Sequence, residues 1–112
     1  NIELAADILL MSQISISGLT GVIINGKGFE LDGNNTVKCL LIETGAEVTL
    51  TNLTITRGNA NDGSGAGTHG GGVTIWSFAT VTTMTYCTIT SNTATSNGGG
   101  VYICYSATVT MA

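Results

Sequence analysis

Apolar residues along the chain come in short alternating groups, separated by glycine, asparagine and threonine. From residue 40 onwards these groups are Leu40/Ile42, Val48/Leu50, Leu53/Ile55, Val73/Ile75, Val81 with Met84, Cys87/Ile89, Val101/Ile103 and Val109/Met111. A period of two residues predicts β-strands whose alternate side chains face a core while the intervening residues face water. The abundance of valine, isoleucine and threonine favours strands as well.

These groups belong to an internal repeat. The segment "GGGVTIWSFATVT" (70–82) is identical to "GGGVYICYSATVT" (98–110) at nine of thirteen positions. The segment "CLLIETGAEVTL" (39–50) fits the same template, and "NLTITRGNA" (52–60) aligns with "YCTITSNTA" (86–94). Strands this short cannot bury their inner faces alone, but stacking successive repeats does bury them.

The first half follows the same pattern less regularly. We group Ile2/Leu4, Ile8/Leu10 and Ile14/Ile16 into one coil, and Val22/Ile24 with Phe29/Leu31 into a shorter one. The sequence therefore predicts an all-β solenoid of about five coils with three short strands per coil. The absence of proline agrees with this prediction, because proline could not donate to the ladders between coils.

Two segments resemble known β-helical repeats. The segment "VIINGKGFELDG" (22–33) is similar to the first coils of pectin-lyase-like solenoids. The segment "ITSNTATSNGGGVY" (89–102) resembles the repeat of polymorphic outer-membrane proteins, with Ile89 where that repeat usually has phenylalanine and Gly100 where it usually has alanine. This resemblance implies a right-handed parallel β-helix and an extracellular or cell-surface structural or adhesive element.

The chain ends at "ATVTMA", within a repeat, and open strand edges need a cover. We therefore expect residues 1–112 to form one β-helix domain that is either part of a longer solenoid or a subunit of an end-to-end filament. Self-association through open edges is the expected partnership.

Charge excludes several partners. Charged residues make up 9% of the chain, the net charge is −4, and Lys27, Lys38 and Arg57 are its three cations. A nucleic-acid surface needs clustered lysine and arginine, so we exclude nucleic acid as a partner. The apolar runs are too short for a membrane-spanning helix, so we do not expect membrane insertion.

The three cysteines are too few and too irregularly spaced for a disulfide framework or a zinc site. Cys87 aligns with the inward Leu53, Cys39 aligns with the last glycine of each run, and Cys104 is expected to face outwards. Their pairing stays open at this point.

Two glycine runs precede the repeated strands: Gly70, Gly71 and Gly72, and Gly98, Gly99 and Gly100. We expect them to be structural corner glycines that supply positive φ angles in stacked turns. A phosphate-binding loop would require a helix after the run, whereas a strand is predicted here.

No catalytic constellation is evident. Lyases of the resembled fold need clustered acidic residues that hold calcium and a basic residue that removes a proton. The acidic residues here are expected on different coils or corners: Glu3, Asp7, Glu30, Asp32, Glu43, Glu47 and Asp62. "NDGSGAG" (61–67) has one carboxylate and is better explained as a corner loop than as a calcium site. We predict no catalytic residue, no metal site and no cofactor, and we expect His69 to be an exposed loop residue.

Candidate contact residues are aromatic. Trp76, Tyr102 and Tyr105 fall at outward positions of neighbouring coils, where they would stack on sugar rings or meet a partner. The alternative is that these rings pack under a loop or against a neighbouring domain. Asn34 and Asn52 begin Asn-x-Thr glycosylation sequons. A non-catalytic or partial segment of a carbohydrate-binding or polysaccharide-active protein is therefore the alternative function.

Overall fold

Almost every regular element of the computed structural model, which describes residues 1–61, 68–104 and 107–111, is a β-strand. The strands, β1 to β15 in chain order, are Ile2–Glu3, Ile8–Leu9, Ile14–Ser17, Val22–Asn25, Glu30–Asp32, Leu40–Glu43, Glu47–Thr51, Thr54–Thr56, Asn59–Ala60, Val73–Ile75, Thr80–Thr85, Thr88–Thr90, Thr93–Ala94, Val101–Ile103 and Thr108–Met111.

The strands form parallel sheets. Sheet A has the order β1-β4-β7-β11-β15, sheet B β12-β8-β5-β2, sheet C β14-β10-β6-β3, and the two-stranded sheet D β13-β9. Every strand pairing in the described residues is parallel. Strands that are consecutive in the chain lie in different sheets, so β6 to β9 visit sheets C, A, B and D, and β10 to β13 do the same. The prediction of an all-β fold built from parallel strands is confirmed.

The strand register reproduces the alignment of the repeats. Val73 pairs with both Leu40 and Val101, and Ile75 pairs with both Ile42 and Ile103. The three-residue spacing from Val81 to Met84 corresponds to a register shift in β11, which places both residues beside Val48 and Leu50 of β7. A β-bulge adds one unpaired residue, and this restores the inward direction of Met84.

One detail of the predicted organisation is wrong. The two-residue strands β9 and β13 form a fourth ladder, so two of the repeats contain four strands rather than three. The strands that carry Ile2, Ile8 and Ile14/Ile16 lie in sheets A, B and C in turn, which agrees with their grouping into one coil. The pairing of Ile14 and Ile16 with Leu40 and Ile42 shows that these two residues occupy the first-strand position of the repeat.

The predicted inward positions form one core. Its buried residues are Leu4, Leu10, Ile16, Ile24, Leu31, Cys39, Leu40, Ile42, Ala46, Val48, Leu50, Leu53, Ile55, Val73, Ile75, Ala79, Val81 and Met84. Because they come from sheets A, B and C, the core lies between the sheets. Burial decreases towards the outermost strands, where Ile14, Ile89 and Val101 are only partly buried.

The glycine runs serve two purposes. Only the first glycine of each run, Gly70 (φ 64°) or Gly98 (φ 65°), has a positive φ angle, so the prediction that the whole run supplies positive φ is wrong. Gly71 and Gly72 are instead needed for close packing, because a Cβ at these positions would overlap carbonyl oxygens of neighbouring backbone. Gly100 is less confined, with Ile89 Cγ2 at 3.4 Å as the nearest atom to an added Cβ.

An asparagine joins two neighbouring repeats. Asn92 Oδ1 accepts a hydrogen bond of 2.7 Å from the Gly58 N–H, and Asn92 Nδ2 donates to the carbonyl oxygens of Ile55 (3.1 Å) and Thr90 (3.0 Å). Gly58 occupies the equivalent position one repeat earlier and cannot carry a side chain, because a Cβ would overlap the Gly71 carbonyl. The longer side chain of Asn92 therefore satisfies backbone groups of both repeats.

Candidate functional site

Two of the predicted contact residues lie together on the outer side of sheet C. The ring centroids of Trp76 and Tyr102 are 6.0 Å apart, with the planes tilted by 34°. Both residues are half-buried. Tyr105 lies outside the described residues. The role of these aromatic residues as ligand contacts stays a prediction.

His69 completes this group as a member that the sequence did not predict. Its ring stacks on Tyr102 with a centroid distance of 4.2 Å and an interplanar angle of 13°. His69 is half-buried rather than exposed, so the expectation of an exposed loop histidine is wrong. The reason is that the segment carrying His69 lies over the outer side of β10, where the Thr74 hydroxyl donates to the His69 carbonyl at 2.8 Å.

Hydrogen bonds clamp this segment to the next turn of the chain. The Asn97 N–H donates to His69 Nδ1 (3.1 Å), the Gly70 N–H donates to the Asn97 carbonyl (3.1 Å), and the Ser96 N–H donates to the Thr68 carbonyl (2.9 Å). We call these three bonds the 68–97 clamp. Because Nδ1 accepts a hydrogen bond, the imidazole in this arrangement carries no proton on Nδ1. The outer face of sheet C is thus aromatic and partly covered by the clamp.

A polar cleft is formed by strand β9 with its neighbour Asn61 and by the turns that precede β3 and β6. It has a volume of about 400 Å³ and is lined by Met11, Ser12, Gln13, Thr36, Val37, Asn59 and Asn61. The lining consists of amide and hydroxyl groups with two apolar side chains and no ionisable group. This composition offers hydrogen bonds and apolar contact to a neutral ligand. Sequence reasoning missed the cleft, since its residues come from three separate segments of the chain.

An ion pair joins Asp32 to Arg57, a contact that the sequence analysis did not predict. Arg57 Nε lies 2.9 and 3.1 Å from the two carboxylate oxygens of Asp32, and Nη2 lies 2.6 Å from Oδ2. The hydrogen bonds from Arg57 hold the pKa of Asp32 below its ordinary value, against the opposing effect of burial. Asp32 is the last residue of β5, and Arg57 directly follows Thr56, the residue of β8 with which Asp32 pairs in register.

This ion pair makes neither residue a ready catalyst. The guanidinium is occupied by a two-pronged contact that stabilises its charged form. A base that removes a proton must have a free lone pair, which this guanidinium lacks. The pair is therefore best described as a structural link between adjacent strands.

The cysteines and the sequons occupy different environments. Cys39, Cys87 and Cys104 are free thiols, and burial raises the pKa of Cys39 to about 11 and raises that of Cys87 too. Thiols with raised pKa values are poor nucleophiles and poor metal ligands at neutral pH. Asn34 (φ 56°) and Asn52 (φ 50°) are exposed at turns, so both sequons begin at accessible side chains.

Across residues 1–61, 68–104 and 107–111, no group of three or more histidine, cysteine, aspartate or glutamate side chains is arranged to hold a metal ion. No helix among these residues is long and apolar enough to cross a membrane.

Comparison of the chain with protein-family models, with curated proteins and with solved structures finds no match. The resemblance to β-helical surface repeats therefore depends on the segments that carry it, above all residues 22–33 and 89–102.

Proposed function

We propose that the chain is a right-handed parallel β-helix of about five coils that acts as an extracellular or cell-surface structural or adhesive element. One observation carries this proposal: core-facing side chains at both outer layers are exposed. Ile2 and Ile8 are 51% and 40% exposed, although their register partners Ile24 and Leu31 are buried. At the opposite side Ile103 is 44% exposed beside the buried Ile75.

These exposed apolar side chains would be buried if a further layer of strands packed on each outer layer. Within residues 1–61, 68–104 and 107–111, the outermost strands β1, β2 and β3 on one side and β14, β15 and β12 on the other pair with a neighbouring strand along one edge only. Unpaired parallel edges together with apolar side chains form a template for another strand layer. That layer comes either from a continuation of the same solenoid or from a second copy added end to end. The extracellular location is supported by the resemblance and by the composition.

The first experiment measures the mass distribution of the 112-residue chain by light scattering, followed by electron microscopy of the same sample. We expect a mass that increases with concentration and elongated particles of uniform width. A stable monomer over the whole concentration range would reject end-to-end assembly. It would leave the structural role to a longer solenoid in which neighbouring coils cover the same edges.

The polar cleft supports a second candidate function, the binding of a neutral saccharide. Its volume of about 400 Å³ is within the range of small-ligand pockets, and its amide and hydroxyl groups match sugar hydroxyls. The half-buried Trp76–Tyr102 pair offers a separate stacking surface for a sugar ring.

A glycan array followed by calorimetry with the glycans it identifies tests this candidate. The variant Gln13→Ala removes an amide from the cleft, and Trp76→Ala removes the stacking ring. Loss of affinity in Gln13→Ala alone would place the sugar in the cleft, and loss in Trp76→Ala alone would place it on the aromatic face. If no glycan binds the wild-type chain, this second function is rejected.

A further inference from the structure

The chain contains two Asn-Gly sequences in contrasting environments, Asn25-Gly26 and Asn97-Gly98. Asparagine is thermolabile because the next backbone nitrogen can attack its side-chain amide carbon. Glycine as the next residue makes this attack easiest, since it has no Cβ and its backbone is the most mobile. Whether a particular Asn-Gly reacts then depends on how the fold holds its atoms.

In Asn25-Gly26 both reacting groups, the side-chain amide of Asn25 and the backbone nitrogen of Gly26, are held by hydrogen bonds. Asn25 lies in β4 and its Oδ1 accepts a hydrogen bond of 2.9 Å from the Lys27 N–H. The attacking nitrogen would be that of Gly26, but this N–H donates to the Thr51 carbonyl at 2.8 Å. Gly26 is also buried against the backbone of the next repeat, where a Cβ would overlap the Asn52 carbonyl. The attack would require this ladder to open.

Asn97-Gly98 lacks the hydrogen bonds that restrain the reacting groups of Asn25-Gly26, although a Cβ on Gly98 would likewise overlap backbone, at the Val101 carbonyl. Asn97 is exposed and lies outside any strand, between β13 and β14. Among the described residues, neither the Asn97 side chain nor the Gly98 N–H has a hydrogen-bond partner, whereas the Asn97 main chain is fixed by the 68–97 clamp. The nucleophile and the amide carbon are therefore both free, while the backbone beside them is held in place.

We propose that Asn97 is a site of spontaneous deamidation, and that this reaction releases the 68–97 clamp. The Gly98 nitrogen bonds to Cγ of Asn97, the bond from Cγ to Nδ2 breaks, and ammonia leaves with the proton given up by the Gly98 nitrogen. Solvent water then opens the cyclic imide at either carbonyl. The products are an aspartyl residue or an isoaspartyl residue at position 97.

The isoaspartyl product changes the structure around the aromatic group. It inserts the side-chain methylene into the main chain, so the carbonyl that accepts the Gly70 N–H and the N–H that donates to His69 can no longer hold their present spacing. His69 would then lose one of the contacts that fix its ring against Tyr102. The reaction would thus release the segment that carries His69 from sheet C, irreversibly and over time. This inference does not depend on the proposed function.

Mass spectrometry of the aged protein tests this proposal with an internal control. Trypsin cleaves after Lys27, Lys38 and Arg57, so Asn25 and Asn97 end in different peptides, 1–27 and 58–112. In the folded protein we expect conversion of Asn97, located by fragmentation, to exceed that of Asn25 by about tenfold or more, because protected backbone must open before it reacts. In denaturant the two sites should convert at similar rates.

Two further variants keep the test decisive. Asn97→Gln should abolish the change in peptide 58–112, because its longer side chain forms the corresponding ring poorly. Asn25→Gln should leave that change as it is in the wild type. Equal conversion of both sites in the folded protein, or conversion at another asparagine instead of Asn97, would overturn the proposal.

Discussion

Ser77 and Phe78 form a turn in which both residues have positive φ angles, 56° and 64°. The equivalent turn one repeat earlier is Thr44-Gly45, where glycine takes the second position at φ 72°. A left-handed conformation costs a residue with a Cβ about 1–2 kcal/mol, and glycine avoids this cost. Phe78 is 69% exposed, so its ring contributes little packing in return.

We predict that Phe78→Gly stabilises the protein by about 0.5–1 kcal/mol, because relief of strain exceeds the entropy that glycine adds to the unfolded chain. Urea unfolding monitored by circular dichroism measures the change. Phe78→Ala is the matched control, since it removes the ring and keeps the Cβ. An equal gain in Phe78→Ala would show that the ring, and not the backbone, was the unfavourable feature.

A second residue-scale prediction concerns Asp32, whose pKa is held below its ordinary value of 3.8 by Arg57. An acid with a lowered pKa in the folded state stabilises the protein above its ordinary value, and this contribution is lost as the pH falls through the lowered value. Asp32→Asn keeps an oxygen that can accept the Asn34 N–H, and it removes the charge together with one of the two oxygens that accept from Arg57.

We therefore expect Asp32→Asn to be less stable than the wild type at neutral pH, with the difference shrinking below pH 3.8. Urea midpoints measured across this range check the prediction. Glu43→Gln is a suitable comparison, because Glu43 has no ion pair within the described residues. A difference between wild type and Asp32→Asn that is independent of pH would contradict the assigned role of the charge.

At the scale of the elements, the space available for a Cβ determines whether each glycine before a strand can be replaced. A Cβ on Gly71 would overlap the Thr93 carbonyl oxygen and lie 2.8 Å from the Gly99 oxygen. The nearest atom to a Cβ on Gly100 would be Ile89 Cγ2, at 3.4 Å. Gly100 is also the position where the resembled outer-membrane repeat usually has alanine.

We predict that Gly71→Ala destabilises the protein by about 3 kcal/mol, because fixed backbone must move, whereas Gly100→Ala changes the stability by less than about 1 kcal/mol. Thermal or urea unfolding of the two variants compares them directly. Similar losses in both variants would mean that the glycine run is needed as a whole and not at particular contacts.

Sequence reasoning predicted the elements that alternation defines and missed those that it does not. The alternation of Val73 and Ile75 with a polar residue correctly predicted strand β10 and its register, although Thr74 between them is also buried. The two-residue strands β9 and β13 show no alternation, so nothing in their composition marks a fourth ladder. The His69–Tyr102 stack and the Asp32–Arg57 pair depend on how turns of successive repeats align, and repeats of unequal length conceal that alignment.

At the scale of the whole molecule, the arrangement of sheets leaves two outer layers whose inward side chains are uncovered. Ile8 and Leu9 are neighbours in β2 and similarly exposed, at 40% and 55%, but they point in opposite directions. Ile8 pairs with the buried Leu31 and faces the core side, while Leu9 pairs with Asp32 on the outer side. Substitutions at these two positions therefore distinguish contacts made by the core-facing side of the outermost layer from contacts made by the outer surface of the sheet.

If copies of the chain add end to end, a charge on the core side of the outermost layer must be buried in the joint, whereas a charge on the outer side stays in water. We predict that Ile8→Lys abolishes the concentration-dependent rise in mass seen by light scattering, because burying an unpaired ammonium group costs several kcal/mol. Leu9→Lys should retain the rise, and circular dichroism should show that both variants fold. Assembly of Ile8→Lys at the wild-type concentration would mean that copies associate through another surface.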